Sequence, residues 1–338
     1  MNKEEKKRSP IANVLKIALP LCLGGAILYW MYRDFDFHSI GNVLLHEMDW
    51  TWMLLSLPFG ILAQVFRGLR WQQTLKPLGE HPRTSVSVNA IFLSYASSLV
   101  IPRVGEFLRC GVLKRYDQVS FPKALGTVVT ERAVDTLVML MATAIALLSQ
   151  MPVFITFFNR TGTRIDQFFE QFTTAGYIVT LICGIAALLL IWILLRKFTI
   201  YNKVKDVLRH LWQGVASLSH IDRGWLYVVY TLGIWLSYFI HFYLTFFCFE
   251  QTAHLGIDCA LVSFVVGSIA VIVPTPNGAG PWHFAVKTML ILYGVESNAA
   301  LFFVLIVHTV QTFLVILLGI WASIALTLTE KKEVKGLS

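Results

Sequence analysis

An apolar stretch that begins at Phe121 carries Glu131, Arg132 and Asp135. As a helix rising 1.5 Å per residue, it places these three ionisable groups roughly 14 Å from its start, near the centre of a bilayer. Glu131 and Asp135 are four residues apart and share a helix face. Arg132 lies about 100° round the helix from Glu131. Unpaired charges at that depth cost roughly 2.5 to 3.5 kcal/mol each. They must therefore face the protein interior and find partners, as a structural ion-pair network or as a site for a ligand or a proton.

Two other segments offer chemistry. The run Pro102-Arg103-Val104-Gly105-Glu106-Phe107-Leu108-Arg109 places Glu106 and Arg109 three residues apart on a resuming helix, and Arg67 and Arg70 close the apolar run before it. Four guanidiniums converging at a cytoplasmic mouth would grip phosphate in bidentate forks, which suits a phospholipid or polyprenyl-phosphate head group. The competing reading is that they set orientation and meet an anionic leaflet, and it is strongest for Arg67 and Arg70. Later, Pro274-Thr275-Pro276-Asn277-Gly278-Ala279-Gly280-Pro281 leads into Trp282 and His283. Glycines before a proline at the first helical position present backbone N–H groups that welcome an anion, so Asn277, Gly278, Gly280 and His283 are expected along a substrate path. His283 is read as a proton relay or a packed polar residue, and His241 and His308 as packed polar residues. The charged residues Arg67, Arg70, Arg103, Glu106, Arg109, Glu131, Arg132 and Asp135, with Asn277, Gly278, Gly280 and His283, are read as substrate-binding; no catalytic residue, metal or cofactor is assigned. Asp34-Phe35-Asp36 matches a two-acid metal pattern of glycosyltransferases only over three residues.

The elements that must hold these groups belong to a membrane protein. The 338 residues are 56% hydrophobic and 14% charged, far below the charge content of soluble domains, and mean hydropathy is +0.64. A net charge of +8 would suggest nucleic acid if it lay on one face, but the bases are divided among short segments between apolar runs, so no nucleic-acid partner is expected. Five scattered cysteines without a CxxC pair suggest neither a disulfide framework nor zinc.

Six stretches are long enough to span: Ile11 to Tyr32, Trp50 to Leu75, Phe121 to Ser149, Gln171 to Leu195, Gly224 to Phe249, and Asn298 to Leu328. Two others break at prolines: Ser85 to Ile101 resuming as Phe107 to Leu113, and Ala260 to Val273 resuming as Trp282 to Tyr293. Broken backbone at membrane depth must be enclosed by protein or water, so both are read as re-entrant helical hairpins. With that topology 22 of the 28 lysines and arginines fall on one side and three on the other, which puts both termini in the cytoplasm. The halves then run in opposite orientation. Trp50 and Gly224, which open the second span of each half, are 174 residues apart. The expected fold is an all-α polytopic membrane protein, six spans plus two re-entrant hairpins in an inverted repeat. It forms one integral membrane domain, with residues 1–150 and 175–338 as the repeats and 151–174 as an outer connecting loop. Such repeats hold substrate near the midplane in secondary transporters. A helix over Val204 to Leu218 is expected on the inner membrane surface.

Taken in order, Phe66-Arg67-Gly68-Leu69-Arg70-Trp71, the Pro102 to Arg109 run, Glu131-Arg132 with Asp135, and the Pro274 to Gly280 turn resemble the transmembrane lysylphosphatidylglycerol synthase/flippase family. The likeness spans roughly residues 12 to 328 of this chain. It implies a bacterial or archaeal integral membrane protein of lipid handling or translocation. Departures occur where Pro102 meets Arg103 directly, where Asn277 replaces a glycine, and where His283 stands in place of a glutamate; they imply an altered head-group preference or proton coupling. Lipid-lysylating members carry a soluble catalytic domain after the membrane region. Only Glu330 to Ser338 follow here, so aminoacyl transfer is not expected of this sequence. The expected function is a lipid flippase of the bacterial inner membrane, moving an anionic phospholipid or polyprenyl-phosphate-linked lipid. It would work among membrane lipids, with a homo-oligomer left open, and the chain carries no nucleotide-binding motif. The alternatives are a polyprenyl-phosphate-dependent glycosyltransferase and a non-transporting scaffold for envelope biogenesis.

Overall fold

The structure, a computed structural model, describes residues 10–33, 35, 40–150 and 223–330. The expected fourth span, the surface helix from Val204 to Leu218, and the acids Asp34 and Asp36 lie outside the described residues. Within them every regular element is a helix, apart from an isolated bridge between Met48 and Phe249. In chain order the principal helices are α1 (Pro10–Tyr32), α2 (Trp50–Leu75), α3 (Thr84–Ser98), α4 (Val104–Asp117) and α5 (Phe121–Ser149). They are followed by α6 (Gly224–Leu244), α7 (Ile257–Ala270), α8 (Pro281–Leu292) and α9 (Ser297–Thr327).

Four of these, α2, α5, α6 and α9, are long and apolar enough to cross a membrane, running 25 to 31 residues when their terminal turns are included. At 1.5 Å per residue even the shortest exceeds ~30 Å of hydrocarbon. The protein is a multi-pass membrane protein. Their ends are chemically marked: the Asp49 carboxylate accepts from the Thr51 N–H at 2.8 Å to cap α2, and Glu296 accepts from Asn298 and Ala299 to cap α9. Many large side chains on their outward faces are exposed, among them Leu137, Leu140, Met141, Leu232, Leu236, Ile320 and Trp321, as suits surfaces that meet lipid.

The pair α2 and α6 forms the axis of the bundle, and glycine lets them approach. A Cβ on Gly233 would sit 2.8 Å from the Phe66 ring, and one on Gly60 would sit 3.1 Å from His241 Nε2. Around this axis α3 packs on α9 and α7 on α5, while α4 also meets α5 and α8 meets α9. Two apolar cores close the ends. One gathers Trp71, Leu75, Ile91, Leu113 and Val128; the other gathers Phe242, Phe246, Leu290, Phe303 and Val304.

The two interrupted segments are helical pairs of 15 and 14 residues (α3, α4) and of 14 and 12 residues (α7, α8). None is longer than roughly 22 Å, short of a full crossing. The first break differs from the sequence expectation: α3 ends at Ser98 rather than Ile101, and α4 begins at Val104 rather than Phe107. Pro102 disfavours helical backbone at Ile101. Arg103, in the left-handed region at φ 64°, redirects the chain so that α4 starts at once. The second turn holds Asn277 (φ 51°), Gly278 (72°) and Gly280 (92°) in the same region. Packing between α3 and α4 depends on Gly105, where any Cβ would collide with the Ser94 carbonyl oxygen. Replacing Gly105 with valine is expected to lower stability by about 1 to 3 kcal/mol through overpacking. Gly126→Ala in α5, with no atom within 4 Å of the added methyl, should be neutral or stabilising. Thermal unfolding of the purified protein in detergent checks both.

Candidate functional site

Helix α2 turns one face inward, and Gln64, Arg67, Arg70 and Trp71 lie along it, all buried. Opposite, α5 supplies Glu131 and Asp135 and α4 supplies Arg109. Arg67 Nη1 donates to Asp135 Oδ2 at 2.7 Å, and Arg70 Nη2 lies 2.8 Å from Asp135 Oδ1. Arg109 Nη2 donates to Glu131 Oε2 at 2.8 Å, while Arg70 Nε stands 3.8 Å from Glu131 Oε1. The aromatic frame completes the enclosure: the Arg109 guanidinium lies 4.5 Å from the Trp71 ring centroid, and the Trp71 indole N–H donates to Thr127. Arg70 is held further by the Thr231 hydroxyl and the Tyr227 ring.

The five ionic residues of this cluster are between 0 and 6% exposed. Three cations face two anions, an excess of one buried positive charge. Arg132 and Glu106 do not alter that balance. They pair with each other at 2.8 Å on the rim, roughly a third to a half exposed, with Arg132 also 3.7 Å from Asp135. Several buried donor atoms have no hydrogen-bond partner, including Arg67 Nε and Arg109 Nε and Nη1.

The sequence places Arg67, Arg70, Arg103 and Arg109 together at a cytoplasmic mouth. The structure corrects this in two ways. Arg67, Arg70 and Arg109 converge inside the protein rather than at a lipid surface, because α2 continues for two turns past Arg67 and packs against α5 and α6. They are interior residues rather than loop charges. Arg103 does not join them: it is exposed at the break, where its Nη2 donates to the Ile272 carbonyl at 3.3 Å. That bond ties the first break to the second.

At the second break the glycine turn does not hold out a row of free donors. The N–H groups of Gly278, Ala279 and Gly280 are taken by Thr275 O, Pro276 O and His283 Nδ1 respectively. Asn277 donates from its side chain to Thr312 and accepts at its carbonyl from His308 Nε2 at 3.1 Å. His283 is buried, its ring 4.3 Å from that of His308. His241 is also buried and donates from Nδ1 to the Ser56 carbonyl at 2.8 Å.

Between the charged cluster and this turn lies a cavity of about 190 Å³. Sequence reasoning missed three of its wall residues, Gln64, Tyr95 and Tyr238. Tyr238 donates to the Tyr95 hydroxyl at 3.0 Å, and its own hydroxyl lies against Arg67. The signal for Gln64 was its position one turn before Arg67 on the same helix face; the tyrosines sit in apolar helices that offer no such cue.

Residues 15–319 match the family described as the lysylphosphatidylglycerol synthase TM region. The chain belongs to this family. As a membrane protein of this family it is in contact with membrane lipids. The chain is also similar to the Glycosyltransferase AglD of Haloferax volcanii, 30% identical over 78 residues, which is 23% of this chain and 12% of that protein. It thus spans about an eighth of that relative's length. No solved structure matches it.

The cluster makes a stability prediction. Asp135→Asn would leave Arg67 and Arg70 without their nearest anion and is expected to cost about 3 to 5 kcal/mol. Arg132→Gln, which breaks a pair only partly enclosed by protein, should cost less than Asp135→Asn. Chemical denaturation of the two variants beside the parent chain measures the difference.

Proposed function

We propose that this family member translocates a lipid with an anionic head group between the leaflets of a bacterial inner membrane, the head group docking at Arg67, Arg70 and Arg109. The observation that carries the reading is the excess buried cation with unpartnered guanidinium nitrogens. A phosphate would neutralise the excess and accept from those donors. Glu131 and Asp135 hold the arginines in place when the site is empty and yield them when phosphate arrives. Arg132 and Glu106, paired at the rim, guard the entry, and Arg103 links the two breaks.

In this reading the chain has six spans and both termini in the cytoplasm. The helical pairs α3–α4 and α7–α8 enter the membrane from opposite sides as re-entrant hairpins of an inverted repeat, within one integral membrane domain. Three observations support it: the short helices, the reciprocal packing of α3 on α9 and α7 on α5, and a bond between the two breaks. The separation of 174 residues also relates Arg103 to Asn277, the left-handed residues of the two breaks. Asn277, Gly278, Gly280 and His283 then shape the outer end of the path, and a homo-oligomer is compatible with the lipid-facing surfaces.

A second reading, a polyprenyl-phosphate-dependent glycosyltransferase, is favoured by the similarity to the Haloferax volcanii glycosyltransferase. It would use Asp34 and Asp36. Vesicles reconstituted with the protein and fluorescent anionic lipids separate the two. Translocation above that of empty vesicles, lost at least tenfold in Arg109→Gln and retained in Asp34→Asn/Asp36→Asn, is the expected result. Equal rates with and without protein for every lipid, or activity abolished only by the aspartate changes, would reject the transport reading.

A further inference from the structure

Three histidines stand near the second break, and their hydrogen bonds differ in what they tolerate. His283 Nδ1 faces the Gly280 N–H at 3.4 Å and must accept, which leaves no place for a second ring proton. His241 donates from Nδ1 to the Ser56 carbonyl, and its Nε2 packs against Gly60, where an added Cβ would lie 3.1 Å away. His308 is different. Its Nε2 meets the Asn277 carbonyl oxygen at 3.1 Å and must donate, while its Nδ1 meets the Thr312 hydroxyl at 3.4 Å. That hydroxyl also accepts from the Asn277 side-chain amide at 2.8 Å. With a lone pair left after Asn277, it can donate to a neutral His308 or accept from a protonated one. Of the three, His308 is the ring that can gain a proton and keep both partners.

Its place in the fold gives that proton a use. His308 borders the cavity of about 190 Å³ that Gln64 and Tyr238 also line, and it borders a groove of about 600 Å³ at the end of α1. The titratable and charged groups around it come from four helices. His283 of α8 has its ring 4.3 Å away, and Tyr29, Tyr32 and Arg33 of α1 share the groove. Across the cavity stand His241 and Tyr238 of α6 and Tyr95 of α3. Among the described residues no Asp or Glu lines either space. An imidazolium at His308 therefore has no carboxylate to meet, and such a charge is costly until an anion arrives.

We infer that His308 takes up one proton at Nδ1 when an anion reaches the second break, so that passage of the anion is coupled to proton binding. The inference rests on the proposed anionic cargo and adds what accompanies it. The N–H bond forms at Nδ1 with a proton from the aqueous phase, and the Thr312 hydroxyl turns from donor to acceptor. The proton returns to water when the anion leaves. Linkage is reciprocal: an anion that favours the protonated ring is engaged more tightly as pH falls, by up to about tenfold per pH unit for one proton.

Two measurements on the full chain test this. In the first, nitrogen NMR of histidine-labelled protein is recorded from about pH 8 to about pH 6, the range in which imidazole ordinarily titrates. Nanodiscs of zwitterionic lipid are compared with the same nanodiscs containing phosphatidylglycerol, whose charge does not change over that range. The His308 signal, identified by its loss in His308→Gln, is expected to stay neutral in the first lipid. Phosphatidylglycerol should raise its midpoint by about one pH unit or more. In the second, translocation of fluorescent phosphatidylglycerol is followed in vesicles with equal pH on both faces. The parent rate should rise several-fold per pH unit as pH falls, and His308→Gln, which keeps a donor for Asn277, should show a flat profile. Thr312→Val, which removes the partner of the added proton, should lower the NMR midpoint and serves as the second variant if the first does not fold. Equal midpoints in the two lipids, or a pH profile unchanged in His308→Gln, would overturn the inference. Translocation at one rate across the pH range would overturn it too and leave the transport reading standing. Protonation of His308 that depends on phosphatidylglycerol, in a chain that moves no lipid at any pH, would uphold the proton site and defeat the transport reading.

Discussion

Three guanidiniums and two carboxylates, almost wholly removed from solvent, fix how α2, α4 and α5 meet. Each would be costly alone in the membrane interior, and each is tolerable only because the others stand at 2.7 to 2.8 Å. The geometry is interlocked. Asp135 engages both Arg67 and Arg70, Glu131 lies between Arg70 and Arg109, and Trp71 holds the plane of Arg109. Such a network is a poor device for stability, since well-packed apolar residues of similar volume often serve as well or better. What it does supply is a set of oriented donors with one positive charge left over, the property on which the proposed anion site rests.

The need for this network was legible in the sequence, and its membership was not. Glu131, Arg132 and Asp135 sit in the middle of an apolar helix, so insertion cost alone requires interior partners. Nothing in the linear order says which bases those are. Arg67 and Arg70 lie near the end of an apolar run, where orientation rules count them as loop charges, and only the packing of α2 against α5 and α6 draws them inside. Arg132, one residue from Glu131, turns the other way and pairs with Glu106 at the rim. The hundred-degree step of the helix separates interior from edge.

The breaks show the same division. Prolines and glycines announce both of them, and the short flanking apolar runs place helices on either side. Their fine geometry follows from contacts the sequence does not contain. Gly105 is required by the Ser94 carbonyl, and Gly280 by the approach of α1, where an added Cβ would lie 2.9 Å from the Gly24 carbonyl oxygen. In the later turn the N–H groups of Gly278, Ala279 and Gly280 are used by turn carbonyls and the His283 ring. A polar turn enclosed by apolar helices satisfies itself locally when it can.

Under the proposed repeat, the two halves carry different chemistry at related positions. The interval of 174 residues takes Arg67 to His241, Arg109 to His283, and Gln64 to Tyr238. Two of the three cluster cations thus fall on imidazoles in the second half, each buried and engaged with a backbone group or another ring, while Arg70 falls on Leu244. An anion would therefore meet a strongly attractive site in one half and groups without a permanent charge in the other. A path with a deep well at one end and a shallow exit at the other favours capture from the side of the well. Release then depends on Glu131 and Asp135 reclaiming their arginines, so the carboxylates that make the cluster tolerable in the empty protein would also limit how tightly it holds its cargo.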